Sequence, residues 1–383
     1  MSSTFKVPLT KIKEILPHNN AERLEVAVVY GFQVIVGKGQ YTVGDLAVYV
    51  PIDSILPQDL EDKLFPPSGK MKLTKHRIRQ IKLRGQASQG MLISPKDIFG
   101  IDLPKGSTAV QSNLGLFKVE DDLSPELGIT KYEPPVKEIN PGQPGKPRPK
   151  ENPLFNKYGG LDNIKWYPEK FKADEIVVLQ EKIHGTNARA AILPYVANTF
   201  YKKFLRFIGL APVSEFCYGS NNVQLQERNA SKNFYGEDVY GKVFAKLNVK
   251  DKLRLGETIF GEIYGGGIQK NYSYGTREHR FVLFDVRILQ ADGTHKWLNP
   301  DEVREYAELR GFAMIPEVYR GPFVSLEHVK MFTKGPSILA PSQKIREGVV
   351  VKAVEGYDEF GSNRALKVIS EDYLSDESNT DFH

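Results

Sequence analysis

One lysine in the middle of the chain follows an apolar run that predicts a buried strand. The run is Ile176-Val177-Val178-Leu179, and Glu181-Lys182-Ile183-His184-Gly185-Thr186-Asn187 comes shortly after it. An ordinary lysine, with a pKa near ~10.4, is protonated at neutral pH and inert toward phosphorus. Burial or neighbouring cations must therefore remove its proton before Lys182 can act as a nucleophile. The glycine at 185 would let another group approach the backbone closely.

Further strand-like runs follow in order, and each carries a charged or aromatic side chain. They are Phe260-Gly261-Glu262-Ile263-Tyr264-Gly265, Phe281-Val282-Leu283-Phe284-Asp285, Glu347-Gly348-Val349-Val350-Val351-Lys352 and Ala365-Leu366-Lys367-Val368. A lone Lys-x-x-Gly is weak, because most such matches lie on surface turns. An ordered series of this kind is much harder to obtain by chance, so it predicts that Lys182 belongs to a composite site.

This series resembles the covalent nucleotidyltransferase superfamily of ATP-dependent ligases and capping enzymes. Lys182-Ile183-His184-Gly185-Thr186-Asn187 is similar to motif I in its RNA-ligase form. The resemblance implies that Lys182 attacks the α-phosphate of ATP, expels pyrophosphate and holds AMP through a P–N bond. The AMP would then pass to a 5′-phosphate, and a 3′-hydroxyl would attack that activated end and release AMP.

The resemblance also implies roles for the other elements. Glu347 would anchor the hydration shell of one Mg²⁺ or Mn²⁺ ion, and Glu262 would accept a ribose hydroxyl. Lys352 and Lys367 would neutralise charge on the α-phosphate and lower the pKa of Lys182. ATP or AMP is further expected to contact Glu181, Ile183, Gly185, Asn187 and one of the two phenylalanines, Phe284 or Phe281.

Strand parity limits which of these side chains share a face. Phe281 and Phe284 point to opposite faces of a regular strand, so only one can stack on adenine while the other packs in a core. Glu181 and Lys182 likewise point oppositely. Parity also separates Glu347 from Lys352 unless a bulge intervenes, so we expect Lys367 to act at the phosphate more than Lys352.

Some site features stay open at this point. His184 could polarise a phosphate or cap the turn. Taken singly, each carboxylate is better explained by a surface ion pair at a strand end. Asn221 stands where related RNA ligases usually carry a basic residue, and Lys367 lacks the second lysine that commonly lies one residue away in the last motif. The phosphate-binding groups can therefore differ from those of the family.

The N-terminal part predicts a small barrel of short strands. Two strand-like stretches lie between Arg23 and Val36 and are broken at Tyr30-Gly31, and another runs from Leu46 to Val50. Short strands with glycine turns at this spacing are typical of a Greek-key barrel such as an OB-fold. An OB-like module before a nucleotidyltransferase resembles the RNA ligases typified by those of Deinococcus and Naegleria, over nearly the whole chain.

A basic cluster in this first part is the candidate nucleic-acid-binding surface. It contains Lys72, Lys75, Arg77, Arg79, Lys82 and Arg84, and no acidic residue interrupts it. Such side chains neutralise phosphates, and each contact weakens binding as salt rises. The alternative is a solvated basic face. The net charge of +5, from 52 basic and 47 acidic residues, is too small to decide between them.

The length and the proline distribution predict the domain organisation. The chain has 383 residues, and prolines and glycines crowd the stretch from Glu133 to Pro153, which favours an extended spacer. We expect an OB-like nucleic-acid-binding domain over 1–132, a proline-rich linker over 133–153 and a ligase domain over 154–383. The fold class is α+β: a β-rich OB-like barrel, then a nucleotidyltransferase (ATP-grasp-like ligase) domain of antiparallel sheets with flanking helices.

The sequence thus predicts an ATP-dependent RNA ligase acting on RNA or a nicked RNA-containing duplex. A DNA ligase or capping enzyme would usually place its OB domain after the last motif. A non-catalytic RNA-binding protein with a degenerate transferase domain is the alternative from another class. No apolar run approaches the ~18 residues of a membrane span, the start is unlike a signal peptide, and Cys217 is the single cysteine. We therefore expect a soluble, intracellular monomer without a membrane partner.

Overall fold

The computed structural model describes residues 5–66, 73–132, 151–167, 169–225, 237–357 and 363–376. Of the predicted linker 133–153, only 151–153 fall within these ranges, and Lys72 lies outside the described residues. Among the described residues, no helix combines the length and the apolar character needed to cross a bilayer.

Short antiparallel strands dominate the N-terminal part. The strands are β1 Leu9–Lys11, β2 Glu14–Pro17, β3 Leu24–Val29, β4 Phe32–Gly37, β5 Leu46–Val50, β6 Ser54–Ile55, β7 Ile81–Leu83, β8 Gln86–Ser88, β9 Met91–Ile93, β10 Ala109–Ser112, β11 Gly115–Lys118 and β12 Thr130–Lys131. The helices are α1 Gln58–Leu64 and α2 Pro95–Phe99, with a 3₁₀ turn at Thr74–His76. One sheet has the order β2-β3-β4 and another β1-β5-β9, while β10-β11, β6-β12 and β7-β8 pair separately.

Strand β5 is the centre of this barrel. All five of its residues are buried, and alternate side chains enter two different apolar clusters: Val48 packs with Leu9 and Ile93, whereas Tyr49 packs with Phe32 and Val29 on the other side. A strand covered on both faces has a continuous apolar sequence rather than an alternating one. The predicted strands around Tyr30-Gly31 and from Leu46 are therefore confirmed.

The C-terminal part contains longer strands. They are β13 Ile176–Lys182, β14 Thr186–Pro194, β15 Ser214–Ser220, β16 Glu257–Tyr264, β17 Arg280–Leu289, β18 His295–Trp297, β19 Glu317–Pro322, β20 Gly348–Tyr357 and β21 Asn363–Ile369. The helices are α3 Phe200–Phe207, α4 Val239–Lys246, α5 Val249–Lys252, α6 Pro300–Arg310, α7 Leu326–Met331 and α8 Glu371–Ser375, with a 3₁₀ turn at Ile164–Trp166. The apolar spacing of Val239, Val243, Phe244 and Leu247 predicts one amphipathic helix from 238 to 255. The structure has two helices there, because Asn248 adopts a left-handed conformation with φ 51°.

Two antiparallel sheets build this part. The lysine sheet has the order β19-β13-β20-β21, and the glutamate sheet has the order β15-β14-β16-β17-β18. The outer face of the lysine sheet packs Leu179 and Val351 into an apolar cluster with Val329 of α7. The outer face of the glutamate sheet packs Leu283 against residues of α4 and α6, including Val303. The other face of each sheet, called here the inner face, is therefore available to carry the side chains of a site.

The 3₁₀ turn at Ile164–Trp166 joins the two parts of the chain. The Trp166 ring lies 4.8 Å from Tyr30, 5.1 Å from Phe32 and 5.4 Å from Tyr49, measured between centroids. The Gly31 N–H donates to the carbonyl of Lys165 at 2.9 Å. A Cβ atom at position 31 would lie 3.1 Å from the Cα of Lys165, so the glycine permits this close approach.

Candidate active site

Strand register brings the lysines to one face of the lysine sheet. Residues directly opposite one another in an antiparallel pair point to the same side. Lys182 lies opposite Gly348, and Val350, two positions further along β20, lies opposite Lys367. Lys352 continues the same alternation. Their neighbours on the outer face belong to the apolar core, so all three lysines project from the inner face.

Glu347 meets Lys182 because it directly precedes the residue with which Lys182 pairs. Lys182 Nζ donates to Glu347 Oε1 at 2.6 Å, and their side chains are 30% and 8% exposed. Glu347 Oε2 lies 3.7 Å from His184 Nδ1. This second oxygen is buried and has no hydrogen-bond partner among the described residues. The carboxylate therefore contacts the nucleophile candidate through one oxygen and can accept another ligand through the other.

Lys367 lies close enough to Lys182 for the two charges to interact. Burial, and then the positive charge of Lys182, lower the pKa of Lys367 to about 8. The backbone N–H of Lys367 donates to the carbonyl of Asp162 at 2.9 Å, which fixes β21 at this point. The prediction that Lys367 neighbours the nucleophile agrees with this placement.

Lys352 connects the lysine sheet to the glutamate sheet. Its Nζ lies 2.9 Å from Asp285 Oδ1 and donates to the Phe284 carbonyl at 2.7 Å. Both charged side chains are only 3% exposed, and the Tyr158 hydroxyl donates to the other oxygen of Asp285 at 2.6 Å. Asp285 has no role in the sequence prediction, although it directly follows Phe284. The Lys352 ammonium is therefore paired with the Asp285 carboxylate and links the two sheets.

Glu262 lies on the inner face of the glutamate sheet, opposite Asn187. Burial raises the pKa of its carboxyl to about 8, an effect opposed by the charge of Lys182 and reinforced by that of Glu347. The group is therefore protonated at neutral pH and can both donate and accept. Gly185 packs directly against it, since a Cβ there would lie 2.8 Å from Glu262 Cγ.

Phe281 and Phe284 lie on opposite faces of the glutamate sheet, as strand parity predicts. The pairing of β16 with β17 shifts between Phe260 and Gly261, so that Phe284 has no direct partner. Phe281 is 4% exposed and packs in the core of the outer face. The half-buried ring of Phe284 contacts Tyr158 on the inner side at 4.9 Å. Phe284 is thus the one available for stacking, and the expected nucleotide contact of Phe281 is corrected to a core role.

Glu181 points to the opposite side from Lys182, as parity predicts. Its carboxylate is 1% exposed and accepts the N–H groups of Ile338 and Leu339 at 2.7 and 3.3 Å. The side chain therefore supports the loop before β20. Because the side chain points away from the site, residue 181 could contact a nucleotide only through its backbone. Ile183 packs in an apolar cluster with Tyr272 and Val282 beside the inner face.

His184 is held by a ring of tyrosines that the sequence does not reveal. The backbone N–H of His184 donates to the Tyr274 hydroxyl at 2.7 Å. The imidazole ring contacts the rings of Tyr272 and Tyr373 edge to face, with centroid distances of 4.8 and 5.4 Å. Tyr373 belongs to α8, far from His184 in sequence, so no local pattern could indicate the contact. These contacts orient His184 toward Glu347.

A comparison with known protein families identifies the molecule. The RNA ligase family matches residues 175–369, which run from β13 to β21 and include every lysine of the site. The chain belongs to the RNA ligase family. An OB-fold domain family matches residues 6–95, which confirms the predicted N-terminal barrel. A search of curated protein sequences gave no match.

Solved structures of an RNA ligase from Naegleria gruberi share the fold along nearly the whole chain. A lysine-to-alanine mutant with ATP and Mn has a TM-score of 0.72 at 21% identity, over 97% of this chain and 98% of that chain. The same enzyme with PPi gives 0.70 at 21% identity over 97% and 98%. A lysine-to-methionine mutant with AMP and Mn gives 0.70 at 20% identity over 96% and 97%. The predicted fold class is therefore confirmed.

The basic cluster of this RNA ligase lies mainly on an exposed hairpin of the barrel. Strands β7 and β8 are joined by Arg84-Gly85, whose φ angles of 50° and 90° are those of a tight hairpin turn. Exposed side chains on or beside it are Lys75, Arg79, Lys82 and Arg84. Arg77 differs, because it pairs with Asp53 at 2.6 Å and stacks on the Tyr132 ring at 3.7 Å. It is thus engaged within the protein.

The stability of this RNA ligase should depend on pH through Glu262. Its folded-state pKa of about 8 exceeds the ordinary 4.5, so its contribution is complete below pH 4.5 and is lost as pH rises through 8. Relative to Glu262→Gln, wild type should lose about 1–3 kcal/mol of unfolding free energy between pH 5 and 8. Urea unfolding at both pH values measures this. The exposed Glu327→Gln should behave as wild type; parallel curves for Glu262→Gln and wild type would contradict the assignment.

Proposed function

We propose that this RNA ligase uses ATP to form lysyl-AMP at Lys182 and then joins a 3′-hydroxyl RNA end to a 5′-phosphate end at a nick. One observation carries the proposal. Four ionisable groups that are far apart in the sequence meet between the two sheets: Lys182, Glu262, Glu347 and Lys367. A single copy of the chain supplies all of them, which supports a monomeric enzyme.

Lys182 is the proposed nucleophile because of its position and its neighbours. In-line attack of its amine on the α-phosphate of ATP forms a P–N bond and breaks the bond to pyrophosphate, which leaves with the electron pair. The positive charge of Lys367 lies near Lys182. It disfavours the protonated form of Lys182, and it stabilises the negative charge that develops on the phosphate. The protein mainly positions the reactants and stabilises charge.

Glu347 is the proposed anchor for a hydrated Mg²⁺ or Mn²⁺ ion. Mg²⁺ keeps several waters and binds through few carboxylates, and the described part of the chain has no group of three or more His, Cys, Asp or Glu side chains that could hold a metal ion directly. The buried Glu347 Oε2, without a partner among the described residues, fits such an outer contact. A bound divalent ion would supply charge neutralisation at the phosphate. The Naegleria structures with Mn support this role.

The nucleoside is proposed to lie between the inner faces. The half-buried ring of Phe284 is the aromatic group proposed to stack on adenine, and the protonated Glu262 can hydrogen-bond a ribose hydroxyl in either sense. Asn187 Oδ1, opposite Glu262, is buried and has no partner among the described residues. The ion pair of Lys352 and Asp285 links the two sheets on this inner side.

Covalent labelling tests the proposed function directly. The purified chain is incubated with α-³²P-labelled ATP and either Mg²⁺ or Mn²⁺, then denatured and separated by electrophoresis. We expect one label per chain that survives denaturation and is released by acid, as a P–N bond requires, and that pyrophosphate removes. A protein that binds RNA but takes no label would support the non-catalytic alternative.

The basic side chains of the exposed hairpin should contribute to RNA binding and not to the reaction with ATP. Replacing Arg79, Lys82 and Arg84 together by alanine should leave self-adenylylation unchanged but weaken binding of a nicked RNA duplex by about 10–100-fold. It should also reduce the salt slope by about 0.7–0.9 for each phosphate that the variant no longer neutralises. Filter binding across a salt series measures both quantities. The matched control is Lys105→Ala, an exposed lysine of the same barrel. An unchanged salt slope would assign the hairpin another purpose.

The strand that presents the 3′-hydroxyl should need ribose. A 2′-hydroxyl donates and accepts hydrogen bonds and favours A-form geometry, two signals that DNA lacks. We expect efficient sealing when the 3′-hydroxyl end is RNA, whether the 5′-phosphate strand is RNA or DNA, and a loss of at least about 10²-fold when that end is DNA. Four nicked duplexes on one gel measure this. Equal sealing of an all-DNA nick would instead support a DNA ligase.

A further inference from the structure

The helix between β14 and β15 has its apolar side toward solvent. Phe200, Phe204 and Phe207 are spaced at i, i+4 and i+7, so their rings lie on one face of α3. They are 88%, 50% and 89% exposed. Single apolar side chains on a surface need no explanation, but a contiguous row of this kind marks a surface that contacts another molecule.

The opposite side of α3 is fixed to the ligase domain by an ion pair. Lys202 Nζ lies 2.7 Å from Glu215 Oε2 and 5.0 Å from the centre of the Tyr195 ring. The Thr199 side chain accepts the backbone N–H of Lys202 and so caps the first turn, and Gly209 follows the helix with a φ of 73°. The capping residues and the ion pair therefore hold α3 with its aromatic face outward.

Glu215 places α3 on the same side of the glutamate sheet as the active site. It lies opposite Leu193 in the pairing of β14 with β15, and Leu193 shares the face of Asn187 because alternate residues of a strand point to the same side. That face is the inner face, which carries Glu262. Over its nine residues β14 leads about 27 Å away from the active site. A bound RNA strand spans that distance in about eight nucleotides at ~3.4 Å each.

The charges of this segment favour a polyanion as the partner. From Tyr195 to Ser214 the chain has Lys202, Lys203 and Arg206 but no aspartate or glutamate. Lys203 and Arg206 are exposed beside the aromatic face. Proteins hold single-stranded nucleic acid with this combination, because bases stack on the rings while the cations neutralise phosphates. The exposed face of α3 is therefore complementary to RNA in both its rings and its charge.

A second copy of the chain fits this face less well. An eight-residue helix is about 12 Å long, so two such helices in contact would bury on the order of a few hundred Å². Specific interfaces bury at least about 1,000 Å². The like charges of Lys203 and Arg206 would also repel each other across such a contact.

We propose that α3 is a stacking surface for single-stranded nucleotides of the RNA substrate, about eight nucleotides from the ends that are joined. Phe200, Phe204 and Phe207 stack on bases, while Lys203 and Arg206 contact phosphates. The inference rests on the proposed function for the joining of ends at a nick. It extends that function, because it makes the enzyme prefer nicks that are flanked by a single-stranded segment.

Fluorescence anisotropy with three labelled RNA duplexes and the full chain tests the inference. Each duplex has a nick between two GC-rich arms of eight base pairs. One duplex is blunt, and each of the others continues a different arm as ten single-stranded uridines. We expect wild type to bind one of the extended duplexes at least about tenfold more tightly than the blunt one. Neither ATP nor metal is added, so binding is measured whether or not lysyl-AMP forms.

Two triple variants distinguish stacking from a general apolar contact. Phe200→Ala, Phe204→Ala and Phe207→Ala together should remove the advantage of the extension and leave binding of the blunt duplex unchanged. Leucine at the same three positions keeps the helix and its apolar face, but it should remove the advantage equally, because leucine has no π face. The matched control is Leu309→Ala, which changes an exposed apolar residue of α6 and should behave as wild type.

The remaining results would overturn the inference. If neither extension tightens binding, or if the alanine variant keeps the advantage, α3 does not hold RNA. If only the leucine variant keeps it, the contact is apolar rather than stacked. Wild-type binding to phosphatidylserine vesicles that the alanine variant loses, without a preference for either extension, would assign α3 to a membrane surface. A chain that prefers an extended duplex but takes no label from ATP would refute the proposed function and leave this inference standing.

Discussion

Replacing Lys182 with alanine will abolish covalent labelling by ATP and the sealing of 5′-phosphorylated ends, with a loss of at least about 10⁴-fold. Lys182 is the only lysine that contacts Glu347 among the ion pairs of the described residues, and the P–N bond cannot form without its amine. Lys182→Arg should fail equally, because a guanidinium stays protonated at any working pH. Gel electrophoresis after incubation with α-³²P-labelled ATP measures the loss.

RNA that already carries a 5′-adenylyl group distinguishes chemistry from folding. The last step, in which a 3′-hydroxyl displaces AMP, does not use the covalent bond to Lys182, so the alanine variant should retain part of its sealing of such ends. A matched control is Lys334→Ala, an exposed lysine of the same domain, which should keep all three steps. Label retained by Lys182→Ala or Lys182→Arg would refute the assignment of the nucleophile.

Replacing Glu347 with glutamine should reduce lysyl-AMP formation by about 10²–10³-fold. Glutamine keeps the size of the side chain but removes the charge that lies 2.6 Å from Lys182 Nζ, and an amide is a poor anchor for the water shell of a divalent ion. Rates measured across a series of Mg²⁺ and Mn²⁺ concentrations test this. We expect the apparent metal affinity to weaken along with the maximal rate.

Two comparisons make the Glu347 experiment specific. Glu308→Gln changes an exposed carboxylate on α6 and should leave both the rate and the metal dependence unchanged. Thermal unfolding of Glu347→Gln should show that the protein still folds. A variant with wild-type metal dependence would show that the ion, if required, binds elsewhere and that Glu347 only orients Lys182.

Much of the fold follows from the sequence because it rests on local patterns. The apolar run of β5 and the two strands around Tyr30-Gly31 could be predicted from composition and turn residues. The order of the motifs predicted that Lys182, Glu347 and Lys367 would meet, since paired strands carry them side by side. The break between α4 and α5 was harder to predict, because it depends on the positive φ of Asn248 and the apolar pattern continues across it.

The rest of the site could not be predicted because it depends on contacts between distant segments. The bulge at Phe284 changes strand parity for the residue after it, Asp285, which meets Lys352 of the other sheet, and nothing in the apolar pattern of β17 marks it. Arg77 belongs to the basic cluster by its position in the sequence, yet Asp53 and Tyr132 engage its side chain within the protein. Tyr373 reaches His184 only through the position of α8. Pairing across elements, rather than residue type, decides these roles.

The buried pair of Lys352 and Asp285 has a consequence for how this enzyme can change during evolution. Removing one member of a buried ion pair costs about 3–5 kcal/mol, whereas replacing both by well-packed apolar groups is often neutral. With 3% of each side chain exposed, neither position can drift alone, so the two should be inherited as a unit. Homologous sequences in which one position stays charged while the other becomes apolar would contradict this coupling.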